Sequence, residues 1–295
     1  MEKSKDEYRN FSVVIPTLGG ETLERTIKLI NSGTFVPNEI LICIPNEFSK
    51  HVTNLTSIRN IKVLSVSVKG QVRQRVEGFK NVSNDYVIQL DDDMFVHETC
   101  FERLLEGILS NEDKVAIAPT MVFEPGGQSC YEMIHTDSRT MTIIHGKNWF
   151  QPGKITRSGM NIGLNAFKAT DRYSEVEWLS GGCVIHKKEN LVLFDYFPFK
   201  GKAFYEDVIQ SIHLQKKGVK LLIDKQAVAG IDPYDALPHS PWQPIADFRK
   251  YYPYRKHLVA LKGSSILYLL LDELHTYLFT TIGILKQNFR NAFKK

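Results

Sequence analysis

The sequence has no close pair of cysteines. Cys43, Cys100, Cys130 and Cys183 are scattered through 295 residues, which leaves neither a zinc-ligand spacing nor a disulfide framework and suits a reducing cytoplasm. Residues 1–10 carry no apolar run, so no signal peptide is expected. There is no internal repeat and no low-complexity tract. Acid is missing from the last ten residues, where Lys286, Arg290, Lys294 and Lys295 lie. Those four account for the whole net charge of +4, since elsewhere 33 basic residues balance 33 acidic ones. A neutral body with a cationic tail argues against a nucleic-acid groove spread over the fold and for an acidic surface met by the tail alone. The remaining composition, 43% hydrophobic and 24% charged, is that of an ordinary globular chain with a sizeable core. Its length holds one large domain, or one with an appendage.

Strands and helices alternate through the first 118 residues. Phe11-Ser12-Val13-Val14-Ile15-Pro16 reads as a buried strand closed by Pro16 and Gly19-Gly20. A helix over about 21–31 follows, with Leu23, Ile27 and Ile30 on one face and Gly33 as its stop. Strands are expected at 39–44, 61–66, 86–90 and 114–118, with helices at 71–82 and about 99–109 between them. This pitch implies βαβ units and a mainly parallel α/β sheet. From 119 to about 170 the pattern breaks into Gly-, Ser- and Asn-rich sequence with isolated aromatics, read as an insertion of hairpins and loops. Regular structure resumes over 177–186, with Trp178 at a strand start; a helix after Lys187, a helix from about 205 to Gly218, and two short strands at 219–223 and 227–231 complete the expected α/β part.

The strand at 86–90 delivers three carboxylates, Asp91, Asp92 and Asp93, to its carboxyl end, the edge where open α/β sheets bind ligands. Three like charges side by side repel, and burying one unpaired costs several kcal/mol. A divalent cation, Mg²⁺ or Mn²⁺, relieves that repulsion and commonly bridges to substrate phosphates. The competing reading is a solvated acidic turn.

Five segments in order resolve the choice: Val13-Val14-Ile15-Pro16-Thr17; Gly70-Gln71-Val72-Arg73-Gln74-Arg75-Val76-Glu77-Gly78; Leu90-Asp91-Asp92-Asp93; Leu179-Ser180-Gly181-Gly182; and Glu206-Asp207 with Gly218 downstream. Over roughly residues 11–232 this arrangement resembles the family two glycosyltransferases, inverting, metal-dependent enzymes of Rossmann-like GT-A fold that use nucleotide-activated sugars. The resemblance implies that Asp93 is a direct metal ligand and that Asp91 contacts the ribose or the metal, with Asp92 beside them. It places Pro16 and Thr17 on the donor, Arg75 near the diphosphate, and Asp207 as the base that takes the acceptor's proton, with Glu206 holding a partner group. A carboxylate in a helix's first turn is held ionised by the helix dipole, which suits a base; Glu206 and Asp207 also read as ordinary first-turn acids. Gly181 and Gly182 resemble the acceptor-side turn, and Trp178 either stacks on a sugar or is a buried core residue. His239 is the candidate third metal ligand, although Asp232 lies nearer to the expected position. Where the family usually ends its second strand in an aspartate that reads the base, this chain has Ile44-Pro45-Asn46-Glu47. Asn46 or Glu47 is expected to substitute, for a uridine, thymidine or guanosine sugar.

Residues 266–285 are long and apolar, but Asp272 and Glu273 near the middle make spanning a bilayer costly. Ser265, Tyr268, Asp272, Thr276 and Thr280 fall on one polar stripe. With the basic tail, this implies a helix lying on a membrane surface, or one packed on the catalytic domain or in a homo-oligomer interface. The expected organisation is a GT-A domain over 1–235 (insertion about 119–170) and a C-terminal helical region over 236–295. The expected activity is inverting transfer of a sugar from a nucleoside-diphosphate sugar to a glycan or lipid-linked glycan, in bacterial cell-surface polysaccharide synthesis. It is expected in the cytoplasm, peripheral on the inner membrane face. Two alternatives are a catalytically inactive, membrane-attached glycan-binding module and a sugar-nucleotide pyrophosphorylase, the latter disfavoured because Thr17–Glu21 holds no basic residue.

Overall fold

All six residues of the first strand, β1 (Phe11–Pro16), are buried, because helices cover both of its faces. A computed structural model describes residues 10–111, 113–130, 138–164, 171–199, 203–233 and 240–292. After β1 come α1 (Thr22–Ser32), β2 (Glu39–Pro45), a 3-10 stretch (Asn46–Ser57), β3 (Ile61–Val66), α2 (Gln71–Lys80), β4 (Tyr86–Leu90), β5 (Phe95–Val96), α3 (Cys100–Ser110), β6 (Val115–Phe123) and β7 (Gln128–Ser129). Further on are α4 (Arg139–His145), β8 (Tyr173–Val176), β9 (Cys183–Lys187), α5 (Glu206–Lys216), β10 (Lys220–Ile231), α6 (Gln243–Leu261) and α7 (Ile266–Ala292). The chain divides into two compact units, residues 1–133 with 163–233, and 134–162 with 234–295.

The first unit carries a ten-stranded sheet in the order β3-β2-β1-β4-β9-β6-β10-β5, with β7 beside β6 and β8 beside β10. β1, β2, β3 and β4 pair in parallel, as do β6 and β10, while β9 runs antiparallel between β4 and β6. The sheet is mostly parallel and flanked by helices, as expected. Phe11, Val13 and Ile15 face a core with Leu23, Ile27 and Ile30 of α1 and Leu104 and Leu105 of α3. Val14 faces the other way, onto Leu41, Cys43, Phe79 and Val87. That alternation is the period-2 geometry of a strand sandwiched between two helical layers. Strand order reverses at β1: β2 and β3 lie to one side, β4 to the other. The carboxyl ends of β1 and β4 therefore form the switch-point crevice of a doubly wound sheet.

Several local expectations are corrected. No helix follows Lys187; Lys188–Asn190 is a single 3-10 turn, and the aromatics that follow up to Pro198 carry no helical period. The two short strands near 219–231 are one, β10, whose register against β6 jumps between Asp224 and Val228. Asp224, fully buried, takes hydrogen bonds from Arg172 and from the Gln226 N–H at this bulge. β6 continues to Phe123 and turns back into β7, a hairpin inside the stretch expected as hairpins and loops.

The second unit contains α4, α6 and α7. Phe248, Val259 and Leu269 form its apolar cluster. Buried Arg255 donates to Asp272 and to the Ser158 carbonyl oxygen and Oγ (both 3.0 Å), and His145 Nδ1 lies 2.8 Å from Ser158 Oγ. Asp272 is thus a paired interior residue; of the other stripe residues Tyr268, Thr276 and Thr280 are half-buried and Ser265, just before α7, is exposed.

Candidate functional site

The site is assembled by α2 and by the turn that follows Ser180, both placed by missing side chains. A Cβ on Gly78 would come within 2.4 Å of Val14 Cγ1 and 2.6 Å of Cys43 Sγ, so only glycine lets α2 lie this close to the sheet. The helix then points Gln71, Gln74 and Arg75 at the crevice. Gln74 donates to the carbonyl oxygens of Thr17 (2.8 Å) and Cys43 (2.7 Å), tying together the ends of β1 and β2. Gln71 Nε2 and Arg75 Nη2, one helical turn apart, both donate to Asp91 Oδ1 at 3.0 and 2.9 Å.

Arg75 is only 2% exposed. Its other arm donates to Glu206 Oε2 at 2.7 Å, and Tyr196 donates to the same oxygen at 2.9 Å. One guanidinium therefore joins the end of β4 to the first turn of α5. Burial works against its charge, but Glu206 and Asp91 hold the proton and push its pKa up. At this depth Arg75 serves as the strut of the site, with its hydrogen bonds spent on the two carboxylates.

The three aspartates differ. Asp91 is pushed up to about 6, first by burial, with Glu206 and Asp93 adding and Arg75 opposing. Asp92 is raised by burial, against a hydrogen bond from Thr17 Oγ1. Asp93 is exposed, and its carboxylate takes no hydrogen bond from any described residue. Thr26 Oγ1 donates to the backbone oxygens of Asp92 and Met94, both at 3.0 Å, fixing the turn from the α1 side. Arg25 donates to the Asp93 carbonyl (3.2 Å) and to Asp232 Oδ2 (3.1 Å), so Asp232 is drawn towards the triplet through an arginine. His239 lies outside the described residues.

Asp207 follows Glu206 in the first turn of α5, after Tyr205, which holds a left-handed conformation (φ 60°) that is uncommon for a residue with a side chain. Burial first, then the Glu206 charge, push Asp207 up to about 7, although the N–H groups of Val208 and Gly181 hydrogen-bond its carboxylate. Gly181 is forced: a Cβ there would sit 2.6 Å from Glu206 Oε1. The Gly182 carbonyl accepts from the Asp91 N–H at 2.9 Å. Trp178 is buried, at 3% exposure, with its ring packed in the core.

A cavity of about 850 Å³ opens over the carboxyl ends of β1 and β4. Pro16, Thr17, Gln71 and Asp91–Asp93 line it, and among the described residues Lys69 is its one cation and Phe199 its one aromatic. Asn46 and Glu47 are exposed at the start of the 3-10 stretch and are not among the lining residues. Lys69, Gln71, Gln74, Tyr196 and Phe199 were not singled out from the sequence as site residues. The i−4 and i−1 spacing of Gln71 and Gln74 from Arg75 was the one signal that could have found two of these neighbours.

Asp91 and Asp93 suit a hard cation. Mg²⁺ is typically held by one or two carboxylates plus substrate phosphates and water. Asp93 has a free carboxylate, and Asp91 uses one oxygen on Arg75 and Gln71. Among the described residues no group of three or more His, Cys, Asp or Glu side chains is posed to hold a metal by itself. Among the described residues, the carboxylates available to such a site are those of Asp91 and Asp93.

The family model described as glycosyl transferase family 2 matches residues 12–169. No curated protein matches the chain. Among solved structures, a crystal structure of GalNAc-T7 with UDP, GalNAc and Mn²⁺ is similar with a TM-score of 0.54 and 18% identity. That likeness, one of fold, covers 84% of this chain and 50% of the other, so the chain spans half the length of that neighbour.

Proposed function

We propose that this chain, which belongs to glycosyl transferase family 2, transfers a sugar from a nucleotide-activated donor with inversion, with the aid of a divalent cation, to a glycan or lipid-linked glycan. The observation that carries this reading is the Arg75 bridge from Asp91 to Glu206. It holds the acidic end of β4, beside the cavity, in one rigid network with Asp207 in the next element across.

In this reading the nucleotide lies in the cavity between Pro16-Thr17 and Gln71, with Lys69 near its phosphates. Asp91 and Asp93 would hold Mn²⁺ or Mg²⁺, which would supply Lewis-acid neutralisation of the departing diphosphate. Asp207 accepts the proton of the acceptor hydroxyl as it attacks the anomeric carbon from the face opposite the leaving group. A carboxylate held near 7 is a better proton acceptor than an ordinary aspartate, and about half of it is ionised at neutral pH. Glu206 and Gly181 fix its position. Asn46 and Glu47 are exposed and outside the lining of the cavity, whereas Thr17 and Gln71 line it and are better placed to read the base. The proposed setting is bacterial cell-surface polysaccharide synthesis on the inner face of the membrane.

Calorimetry with UDP, dTDP and GDP, each with and without Mn²⁺, tests the donor half. Tight binding of one nucleotide only when the metal is present supports it. Binding of none, or binding indifferent to metal, refutes it.

A further inference from the structure

Nine of the 17 large apolar side chains exposed among the described residues lie on α7. Leu267, Leu270, Leu274, Leu278, Leu285 and Phe289 are between 44% and 67% exposed. Together with Ile282 they step along the helix by three, four, four, four, three and four residues, which is one continuous stripe on a straight helix. A soluble monomer typically leaves its largest apolar patch at roughly 300–600 Å², and nine long side chains near half exposure on one helix exceed what that norm accommodates. Over the first half of α7 the face away from the stripe is held by the protein: Leu269 is fully buried and Asp272 is paired with Arg255. The stripe itself stays exposed along its whole length.

Charge says what that is. No acid follows Glu273 in the sequence, whereas Lys286, Arg290, Lys294 and Lys295 do. Lys286 and Arg290 are exposed and each sits one residue, about 100° of helix, past a stripe residue, Leu285 or Phe289. Long cationic side chains flanking an apolar stripe can lay their stems along acyl chains while their charges reach headgroups. A second copy is less well matched: a coiled-coil seam repeats every 3.5 residues with charged flanks of both signs, and here the mean step exceeds 3.6 and the distal flank is purely basic. No described helix is long and apolar enough to cross a membrane.

We infer that the exposed face of α7 is a membrane-docking surface that lies in the headgroup region of a bilayer containing anionic lipids, with the apolar stripe inserted and Lys286 and Arg290 on phosphates. This sharpens the proposed membrane location into a named surface, and it is measured without donor or acceptor, so its failure would leave sugar transfer untouched.

The experiment is co-sedimentation of the full chain with vesicles of phosphatidylcholine alone and of phosphatidylcholine with phosphatidylglycerol. Binding is expected only to the anionic vesicles. Leu278→Glu/Leu285→Glu, on exposed positions, should keep the wild-type melting temperature and weaken binding at least tenfold. Lys286→Gln/Arg290→Gln should weaken it by about fivefold per cation, falling with added salt. Absence of vesicle binding, equal binding to neutral vesicles, or full binding by the double glutamate variant would overturn the inference. So would a vesicle-indifferent dimer that the glutamate variant splits into monomers, which would assign the stripe to a second copy.

Discussion

Replacing Arg75 with methionine tests the strut most sharply. Methionine keeps much of the side chain's volume and removes the two charge-assisted bonds, at 2.7 Å to Glu206 and 2.9 Å to Asp91. Removing one partner of a buried ion pair costs about 3–5 kcal/mol, since the carboxylates left behind are uncompensated. They can limit the damage by taking up protons. Asp91 already sits near 6 with the guanidinium pulling it down; without that pull it rises further. The folded variant then binds more protons than the folded wild type, so its stability relative to wild type rises as pH falls. Each extra proton contributes about 1.4 kcal/mol per pH unit over the range where it is taken up. Equilibrium urea denaturation in metal-free buffer should show a deficit of about 3–5 kcal/mol near pH 8. Near pH 6.5 that deficit should be smaller by about 2 kcal/mol. A deficit below about 1 kcal/mol, or one that does not change with pH, would refute the claim that Arg75 neutralises both acids.

Other consequences are direct. Asp207→Asn should bind nucleotide and metal as the wild type does and lose transfer by about 10²–10⁴-fold; unchanged turnover would remove Asp207 as the base. The acid limb of wild-type kcat/KM should fall near pH 7, where Asp207 gains its proton. Glu206→Gln should move that limb down, because the neighbouring charge helps to hold the proton. His186, 1% exposed, is pushed down by burial to about 3 from an ordinary 6.5. Only the unfolded chain then protonates it between those values, so the wild type should lose stability as pH falls through that window, by about 1.4 kcal/mol per unit at most. His186→Leu should show a correspondingly flatter pH dependence in thermal denaturation, and parallel curves for the two proteins would contradict the neutral buried imidazole.

The α/β half was legible because its signals are local and periodic. β1, β3 and β4 were bounded to the residue by apolar runs ending in Pro16, Val66 and Leu90, and Gly33 marked the end of α1. Antiparallel β9, inserted between β4 and β6, carries no local mark of its partners. α6 was expected only as part of a helical region over 236–295, without bounds of its own, because Pro253 and the run of tyrosines around it blur a helical period, although Pro253 stands inside the helix. At the site, the aspartate triplet and the Glu206-Asp207 pair were visible as chemistry. The link between them was not, because Arg75 reaches Glu206 across 131 positions. Tyr196 comes from a segment without regular structure, so no spacing announced it. On α7 the polar stripe was correctly seen, but sequence alone left open which face is the buried one; Arg255, waiting inside for Asp272, decides it.

Anomalous diffraction from a crystal grown with Mn²⁺ and the nucleotide sugar selected by calorimetry tests the central claim most directly. The account predicts a manganese peak between the donor diphosphate and the carboxylates of Asp93 and Asp91, with Asp207 facing the anomeric carbon from the side away from the phosphates. A peak elsewhere, or an anomeric carbon out of reach of Asp207, would contradict it.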